Sequence, residues 1–401
     1  MKIGIIKEGK TPPDKRVPLS PKQCKEVKEK FPNVDVLVQS SDIRCFKDEE
    51  YKAEGIEVVD DISSSDILMG VKEVPKPMLI DSKTYLFFSH TIKKQPYNRE
   101  LLQKILEKNI QMVDYECLKY PNDGRILGFG RYAGIVGCYN GFLAYGKRTN
   151  AYDLKPAHEC HDYKELKQEL KKVKLPGNYK IVLTGYGRVG HGALEIIHEL
   201  KLKEVGTEEF LTQSFNEPVF TVLDVTEYYK LPDGGKFDKK EVYHHPEKFE
   251  SCFMDFAKVT DMYVACHYWD SKAPFIFTRE DAKHPDWKIK IVADISCDID
   301  GPVASTIRPS TIAEPLYGYH PKTEKEVAFD DAEAITVMAV DNLPCELPRD
   351  ASEDFGRSLI DKVFEHLLVA DEEKVIANAS ITKDGKLTEN FKYLTDYVNG
   401  V

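Results

Sequence analysis

Tyr179-Lys180-Ile181-Val182-Leu183-Thr184-Gly185-Tyr186-Gly187-Arg188-Val189-Gly190 is the segment from which the architecture is read. Its first six residues form an apolar strand, and three glycines follow in GxGxxG spacing. The residues after it, His191–Leu202, place Leu194, Ile197 and Leu200 at helical intervals. In a strand–turn–helix of this kind the first glycine makes the tight turn. The second lets backbone approach a pyrophosphate, and the third lets helix pack close to strand. The helix N-terminus then offers free N–H groups to the phosphates. Gly185, Gly187 and Gly190, with Arg188 and Val189 between them, are therefore read as a dinucleotide-binding turn.

An acid ending the next strand would hydrogen-bond a ribose 2′-OH and repel a 2′-phosphate. Asp224 ends the run Phe220–Leu223, although it lies farther beyond Gly190 than the usual ~20 residues. If Leu202–Val205 is the second strand instead, Glu204 or Glu208 takes that role. Either choice favours NAD, with NADP the alternative.

More strands follow at Met262–Ala265, Ile289–Ile295 and Ala334–Val340, and a helix at Ser352–Leu368. Before the glycine turn, strands are expected at Ile3–Ile6, Val34–Val38, Ile67–Val71, Thr84–Ser89 and Ile110–Tyr115. Ser20 and Pro21 suit the start of a helix between the first two. Strands alternating with helices argue for parallel βαβ units. The expected fold is α/β: two Rossmann-like domains with parallel sheets and a cleft between them, where ligands usually bind. The polar stretch Arg148–Gly177 reads as a linker with a solvated helix near Asp162–Lys174. The small-residue run Ala133–Gly137 should open a tightly packed helix at the domain junction.

Composition narrows the function. The chain has 401 residues, enough for two domains, and 56 Lys and Arg against 67 Asp and Glu give a net charge of −11. That balance argues against a nucleic-acid or anionic-membrane binder. No apolar run is long enough to span a bilayer. The start, Met1–Lys7, reads as a strand and not as a signal peptide. Nine scattered cysteines without a CxxC pair argue for a reducing compartment, and a cytoplasmic protein is expected. His158-Glu159-Cys160-His161 lacks a second ligand pair, so no metal is expected.

Three apolar runs in the N-terminal region end on polar groups. Ile67–Val71 ends at Lys72, Tyr85–Ser89 at His90, and Met112–Tyr115 at Glu116. Ligands of open parallel sheets sit outside the carboxyl ends of the strands, so neighbouring strands would gather these groups in one site. A lysine, a histidine and a carboxylate beside a nicotinamide make an acid–base set, and burial with neighbouring charges can bring the lysine and histidine toward neutral pKa values. Arg16, Arg125 and Arg131 suggest a small-molecule substrate with several carboxylates, because guanidinium forks take carboxylates bidentately. A non-catalytic dinucleotide sensor would keep the glycines and need no such set. Nothing separates a monomer from a homo-oligomer.

Lys7-Glu8 followed by Arg16-Val17-Pro18-Leu19-Ser20-Pro21 resembles the opening of the alanine dehydrogenase and lysine-forming saccharopine dehydrogenase superfamily. Phe88-Ser89-His90-Thr91-Ile92-Lys93-Lys94-Gln95, Phe129–Gly134 and Val340–Ser352 resemble the saccharopine branch. The likeness extends to the lysine–ketoglutarate reductase half of the bifunctional lysine-degrading enzyme and covers nearly the whole chain. It implies Lys72 and His90 as acid–base catalysts, tuned by Glu116, with Arg16, Arg125 and Gln95 on the substrate. It also implies a nicotinamide near Ala293–Ser296 and Asp341–Leu343, so that Cys266, Asp294, Asp341 and Leu343 join the coenzyme set. The implied domains are 1–135 plus 345–401 for substrate and 136–344 for NAD. The implied reaction interconverts saccharopine with L-lysine plus 2-oxoglutarate, the alternatives being alanine dehydrogenase or an NADPH-dependent reductase. The sequence departs from the pattern in three ways. Arg131 stands where the yeast-type pattern has an aromatic residue, residues 148–177 are an insert, and the second catalytic half of the bifunctional enzyme is not expected.

Overall fold

The computed structural model describes residues 1–122 and 124–400. Two compact units divide the chain: Met1–Phe129 with Pro348–Val401, and Gly130–Leu347. The expected boundaries were 135/136 and 344/345. The first moves because helix Gly130–Thr149 runs unbroken and stays whole in the second unit.

In the first unit, β1 (Lys2–Ile5), β2 (Asp35–Gln39), β3 (Glu57–Val59), β4 (Ile67–Met69), β5 (Thr84–Phe87) and β6 (Gln111–Asp114) form a parallel sheet in spatial order 6-5-4-1-2-3. Strand Ser380–Lys383 adds antiparallel to β6. Its strands are apolar runs because both faces carry a core, one built on Ile3, Val36 and Met69, the other on Leu68, Tyr85 and Met112. The chain leaves β1 for β2 and β3 on one side, then crosses to β4 on the other. The carboxyl ends of β1 and β4 are therefore a topological switch point, the usual ligand position in such sheets.

Helix Pro21–Lys30 starts as the sequence suggests: Pro21 is its first residue and the Ser20 N–H donates to Gln23 Oε1 at 3.0 Å. Helix Pro348–Lys362 covers the same unit. Val17 N donates to Ser352 Oγ at 2.9 Å, and Phe355 stacks 4.6 Å from Phe129 and meets Tyr115 edge-on at 5.0 Å.

The second unit runs β7 (Lys180–Thr184), β8 (Lys203–Glu204), β9 (Val219–Leu223), the hairpin β10 (Tyr229–Lys230) with β11 (Glu250–Ser251), β12 (Met262–Ala265), β13 (Ile291–Asp294), β14 (Leu316–His320), β15 (Lys325–Val327) and β16 (Ile335–Met338). Its main sheet has the order 15-14-16-13-12-7-9-8, and β14 alone runs against the others, pairing antiparallel with β16 and with β15. β9 lies beside β7, whereas β8 is a two-residue edge strand. That choice makes Asp224 the acid ending the strand next to the glycine turn and leaves Glu204 at the exposed edge.

Helix Gly130–Thr149 seats its small face directly on the helix Arg188–Glu199. A Cβ at Gly134 would overlap the Val189 carbonyl, and one at Gly192 would overlap that of Arg131. On another part of the helix, a Cβ at Gly141 would sit 3.1 Å from the Ala293 side chain. The stretch after this helix is not a free linker. Helix Tyr163–Leu170 is capped by Asp162, whose side chain accepts from Glu165 N, and it buries Leu166 and Leu170. Among the described residues no helix is long and apolar enough to cross a membrane.

Candidate active site

Lys72, His90 and Glu116 follow the carboxyl ends of adjacent parallel strands β4, β5 and β6. The loops that carry them are pinned by buried carboxylates. Glu8, just past β1, accepts from Val71 N at 2.6 Å and Lys72 N at 3.0 Å, which ties the end of β4 to β1. Asp114 accepts from Ser89 N at 3.0 Å, from the Ser89 hydroxyl, and from Glu116 N at 2.7 Å. His90 and Glu116 are thus spaced by one side chain.

Glu73 holds the imidazole. Its Oε1 lies 2.7 Å from His90 Nδ1, and its Oε2 takes Lys10 Nζ at 2.6 Å. His90 also stacks on Phe88, with ring centroids 6.4 Å apart. A carboxylate on Nδ1 orients the ring and leaves Nε2 as the atom that exchanges protons. Burial would raise the Glu73 carboxyl, but its bonds to His90 and Lys10 hold it down at about 2. The group at His90 is therefore Glu73 and not Glu116. Among the described residues, Glu116 makes loose ion pairs, 3.7 Å from both Lys93 and Arg125, and its buried Oε2 has no hydrogen-bond partner. Glu73→Gln removes the orienting charge and presents an amide to Nδ1. Turnover should fall roughly tenfold or more, and unchanged kcat and pH profile in a steady-state assay would contradict the role.

Arg16 is 2% exposed and already committed. Its Nε and Nη2 bond Asp14 at 3.0 and 2.6 Å, and its guanidinium lies 4.2 Å over the Phe129 ring. Burial would raise Asp14, but the Arg16 charge and hydrogen bonds, with the charge of Lys72 behind them, hold it at about 2. The fork edge that the sequence assigned to a substrate carboxylate thus takes Asp14. Arg125 lies over Phe88 and is half-exposed. Gln95 bonds its own neighbourhood: its side-chain oxygen takes the Tyr97 hydroxyl and its carbonyl takes Tyr397 at 2.6 Å.

Burial pushes the Glu8 carboxyl up to about 7 against the two backbone N–H groups that lower it. Folded Glu8 holds its proton more tightly than an unfolded glutamate, so its contribution to stability declines as pH rises from 4.5 through about 7. The shift corresponds to about 3 kcal/mol. In urea melts, the native protein should lose ground to Glu8→Gln between pH 5 and 8. A pH-independent difference would mean that Glu8 titrates as an ordinary acid. Glu73 and Asp14 act with the opposite sign. Their contribution is full above their unfolded values of 4.5 and 3.8 and is lost as pH falls toward about 2.

In the second unit the turn after β7 fits a dinucleotide phosphate. Gly185 has φ +94°, and a Cβ there would come 2.8 Å from the Cys266 carbonyl oxygen. A Cβ at Gly190 would overlap the Gly185 carbonyl, whereas one at Gly187 would meet nothing within 4 Å. The first and third glycines therefore close the turn, and the second leaves an open face. A pocket of about 520 Å³ lies over it, lined also by Arg188, Val189, Asp224, Lys239, Tyr243 and Cys266. Asp224 sits within this pocket while its Oδ1 accepts from Val225 N at 2.6 Å. His267, also in the wall, is buried and kept neutral by burial, its pKa lowered to about 4. Its Nδ1 lies 2.9 Å from Thr184 Oγ1.

Two of the expected coenzyme residues have other work. Asp294 is fully buried, and its oxygens take Ser296 N and Oγ, Cys297 N and Thr306 Oγ1 at 2.6–3.1 Å. It shapes its loop and offers no open oxygen to a ligand. Leu343 is buried, 3.0 Å from where a Cβ on Gly137 would stand. Asp341 is exposed at the preceding turn.

The sequence reading overlooked Glu73, Glu8, Asp14 and Asp114. Glu73 adjoins Lys72 and Glu8 lies in a quoted motif, so both were visible as acids at strand ends. Their partners lie on other strands, and only the sheet order pairs them.

Residues 4–136 match the family described as alanine dehydrogenase/PNT, N-terminal domain. The chain is 31% identical to mouse (Mus musculus) alpha-aminoadipic semialdehyde synthase, mitochondrial, over 95% of its own length and 46% of that protein. It thus spans about half the length of that relative. It is 26% identical to the Schizosaccharomyces pombe saccharopine dehydrogenase [NAD(+), L-lysine-forming], covering 87% of this chain and 89% of that one. Among solved structures, an L-alanine dehydrogenase superposes with TM-score 0.64 at 17% identity, covering 100% of this chain and 99% of that one. The fold is accordingly that of two Rossmann-like domains with mostly parallel eight-stranded sheets.

Proposed function

We propose that the protein, whose residues 4–136 match the family described as alanine dehydrogenase/PNT, N-terminal domain, is an NAD-dependent oxidoreductase of the CH–NH group that interconverts saccharopine with L-lysine plus 2-oxoglutarate. The observation that carries the reading is the set at the switch point of the first unit: Lys72 beside Glu8, and His90 held by Glu73. A protein that only sensed a dinucleotide would have no use for an oriented imidazole beside a strand-end amine.

When bound at the glycine turn, a nicotinamide dinucleotide supplies the hydride acceptor or donor. The chain's own groups do the proton chemistry. In the oxidative direction Lys72 takes the proton from the substrate's secondary amine as the C–H bond is broken. The resulting imine carbon is open to water, and His90 Nε2 accepts the proton of the attacking water. Lys72 gives its proton to the imine nitrogen as water adds. When the carbinolamine collapses, the imidazolium protonates the departing lysine nitrogen and the Lys72 amine takes the hydroxyl proton. Glu73 stabilises the imidazolium between these two transfers. Arg125 and Glu116 flank this set, and the Arg125 guanidinium is placed to attract a dicarboxylate.

Asp224 at the end of β9 supports NAD through the ribose 2′-OH. Lys239 and Arg188 in the same pocket are cations that a 2′-phosphate could use, so the assay compares both coenzymes. The test is oxidation of NADH, with NADPH in parallel, in the presence of lysine plus 2-oxoglutarate or of pyruvate plus ammonium. The first pair should turn over with NADH. Turnover only with the second pair would make the protein an alanine dehydrogenase and end this assignment.

A further inference from the structure

The mechanism uses the strand-end groups but leaves a neighbouring cavity of about 540 Å³ unassigned. It lies wholly in the first unit. One wall is the turn after β6, from Glu116 to Pro121, and another is Ile92 beyond β5. The remaining wall is the C-terminal segment, from Glu373 to Tyr393. Helix Val375–Ala379 packs against the turn Tyr115–Cys117, which closes the two walls on each other. Glu116 belongs to both the strand-end set and the cavity, so the cavity opens directly off the candidate active site.

Its chemistry is mixed in a particular way. Glu116 and Glu373 are acids, and Glu116 brings a buried carboxylate oxygen with no hydrogen-bond partner. Among the described lining residues Lys119 is the cation, and at the border Lys93 and Arg125 lie 3.7 Å from Glu116 and Lys94 Nζ lies 5.4 Å over the Tyr393 ring. Asn378 and Asn390 stand together, Asn390 Nδ2 donating to Asn378 Oδ1 at 3.3 Å, and they still offer amide donors and acceptors. Phe391 and Tyr393, with ring centroids 6.2 Å apart, add aromatic surface. Two acids and aromatic rings suit an ammonium group. Lys119 and the amide N–H groups suit a carboxylate. The same acids repel a dianion such as 2-oxoglutarate. The volume falls within the usual range for small-ligand sites.

We propose that this cavity holds the α-ammonium and α-carboxylate head of the amino-acid substrate, with Glu373 on the ammonium. The inference rests on the reaction assigned above, because it chooses between the two co-substrates: the cationic amino acid enters here, and the oxo-acid is held elsewhere. The side chain of lysine would then run from the head group past Glu116 toward the strand-end set.

The test uses the full chain, Glu373→Gln and Asn390→Leu. L-Lysine, 6-aminohexanoate (no α-ammonium) and cadaverine (no carboxylate) are titrated by calorimetry, and KM is measured for lysine and 2-oxoglutarate. In native protein both truncated amines should bind at least about tenfold more weakly than lysine, as loss of a charge-assisted bond requires. Glu373→Gln should weaken lysine about tenfold, remove the discrimination against 6-aminohexanoate, and leave KM for 2-oxoglutarate within about twofold. Asn390→Leu should likewise weaken lysine. Native-like lysine binding in both variants overturns the proposal, as does equal binding of lysine and both truncated amines. Lysine binding that depends on Glu373, without turnover of lysine and 2-oxoglutarate, would keep the pocket and reject the reaction. Turnover that ignores Glu373 would keep the reaction and reject the pocket.

Discussion

Lys72→Met should lower turnover by roughly 10²–10⁴-fold, the range by which a positioned acid or base accelerates a reaction, while dinucleotide affinity stays native. Lys72 follows β4 at the switch point, where Glu8 fixes its backbone through Lys72 N and where its charge acts on Asp14. Methionine keeps the length and the apolar stem of the side chain and removes only the proton-carrying amine. Glu8 binds the backbone, so its grip survives the substitution. The glycine turn lies in the other unit, on its own sheet, so coenzyme titration serves as an internal control. If Lys72→Met keeps more than about a tenth of native kcat, the amine is not the base, and the assignment of proton transfer at this sheet end fails with it. Rescue by an added small primary amine would strengthen the assignment, since that restores the missing group without restoring the residue.

The second large effect separates two glycines of one motif. Gly190→Ala should cost on the order of 3 kcal/mol of stability and abolish dinucleotide binding, because the new methyl would overlap the Gly185 carbonyl at a point where backbone must move to relieve it. Gly187→Ala should leave the thermal midpoint nearly native, since nothing lies within 4 Å of a Cβ there. It should nevertheless weaken NADH binding by about tenfold or more, because that open face is where a pyrophosphate would approach. The pair is read by thermal melts and by NADH fluorescence. A Gly187→Ala protein with native NADH affinity would show that phosphate does not come to this face. A Gly190→Ala protein with a native midpoint would show that the turn has room to spare.

The two units were legible in the sequence to different depths. Strands β7, β9, β12, β13 and β16 were each found within a few residues, because a parallel sheet covered on both faces needs uninterrupted apolar runs. The short elements were less legible. β8 spans two residues and was read, as Leu202–Val205, only as an alternative second strand, and β14 and β15 are hairpin additions whose period-two signal is too brief to read. The choice between Asp224 and Glu204 stayed open for the same reason, and the sheet order closed it by placing β9 beside β7.

What the residues determined unaided is local: strand, turn and helix around Gly185–Gly190, the polar groups that end apolar strands, and the helix start at Pro21. Each of these depends on contacts between neighbours in the chain, so periodicity and spacing carry it. Only the tertiary structure decided which group holds which. Glu73 rather than Glu116 meets His90, Asp14 occupies the fork of Arg16, Asp294 is spent on its own loop, and the C-terminal segment walls a pocket beside Glu116. The physical reason differs between them. Glu73 meets His90, and the C-terminal segment meets Glu116, through the order of strands in a sheet, which no local pattern encodes, whereas Asp14 and Asp294 take their partners from nearby residues through loop conformations that spacing alone does not reveal.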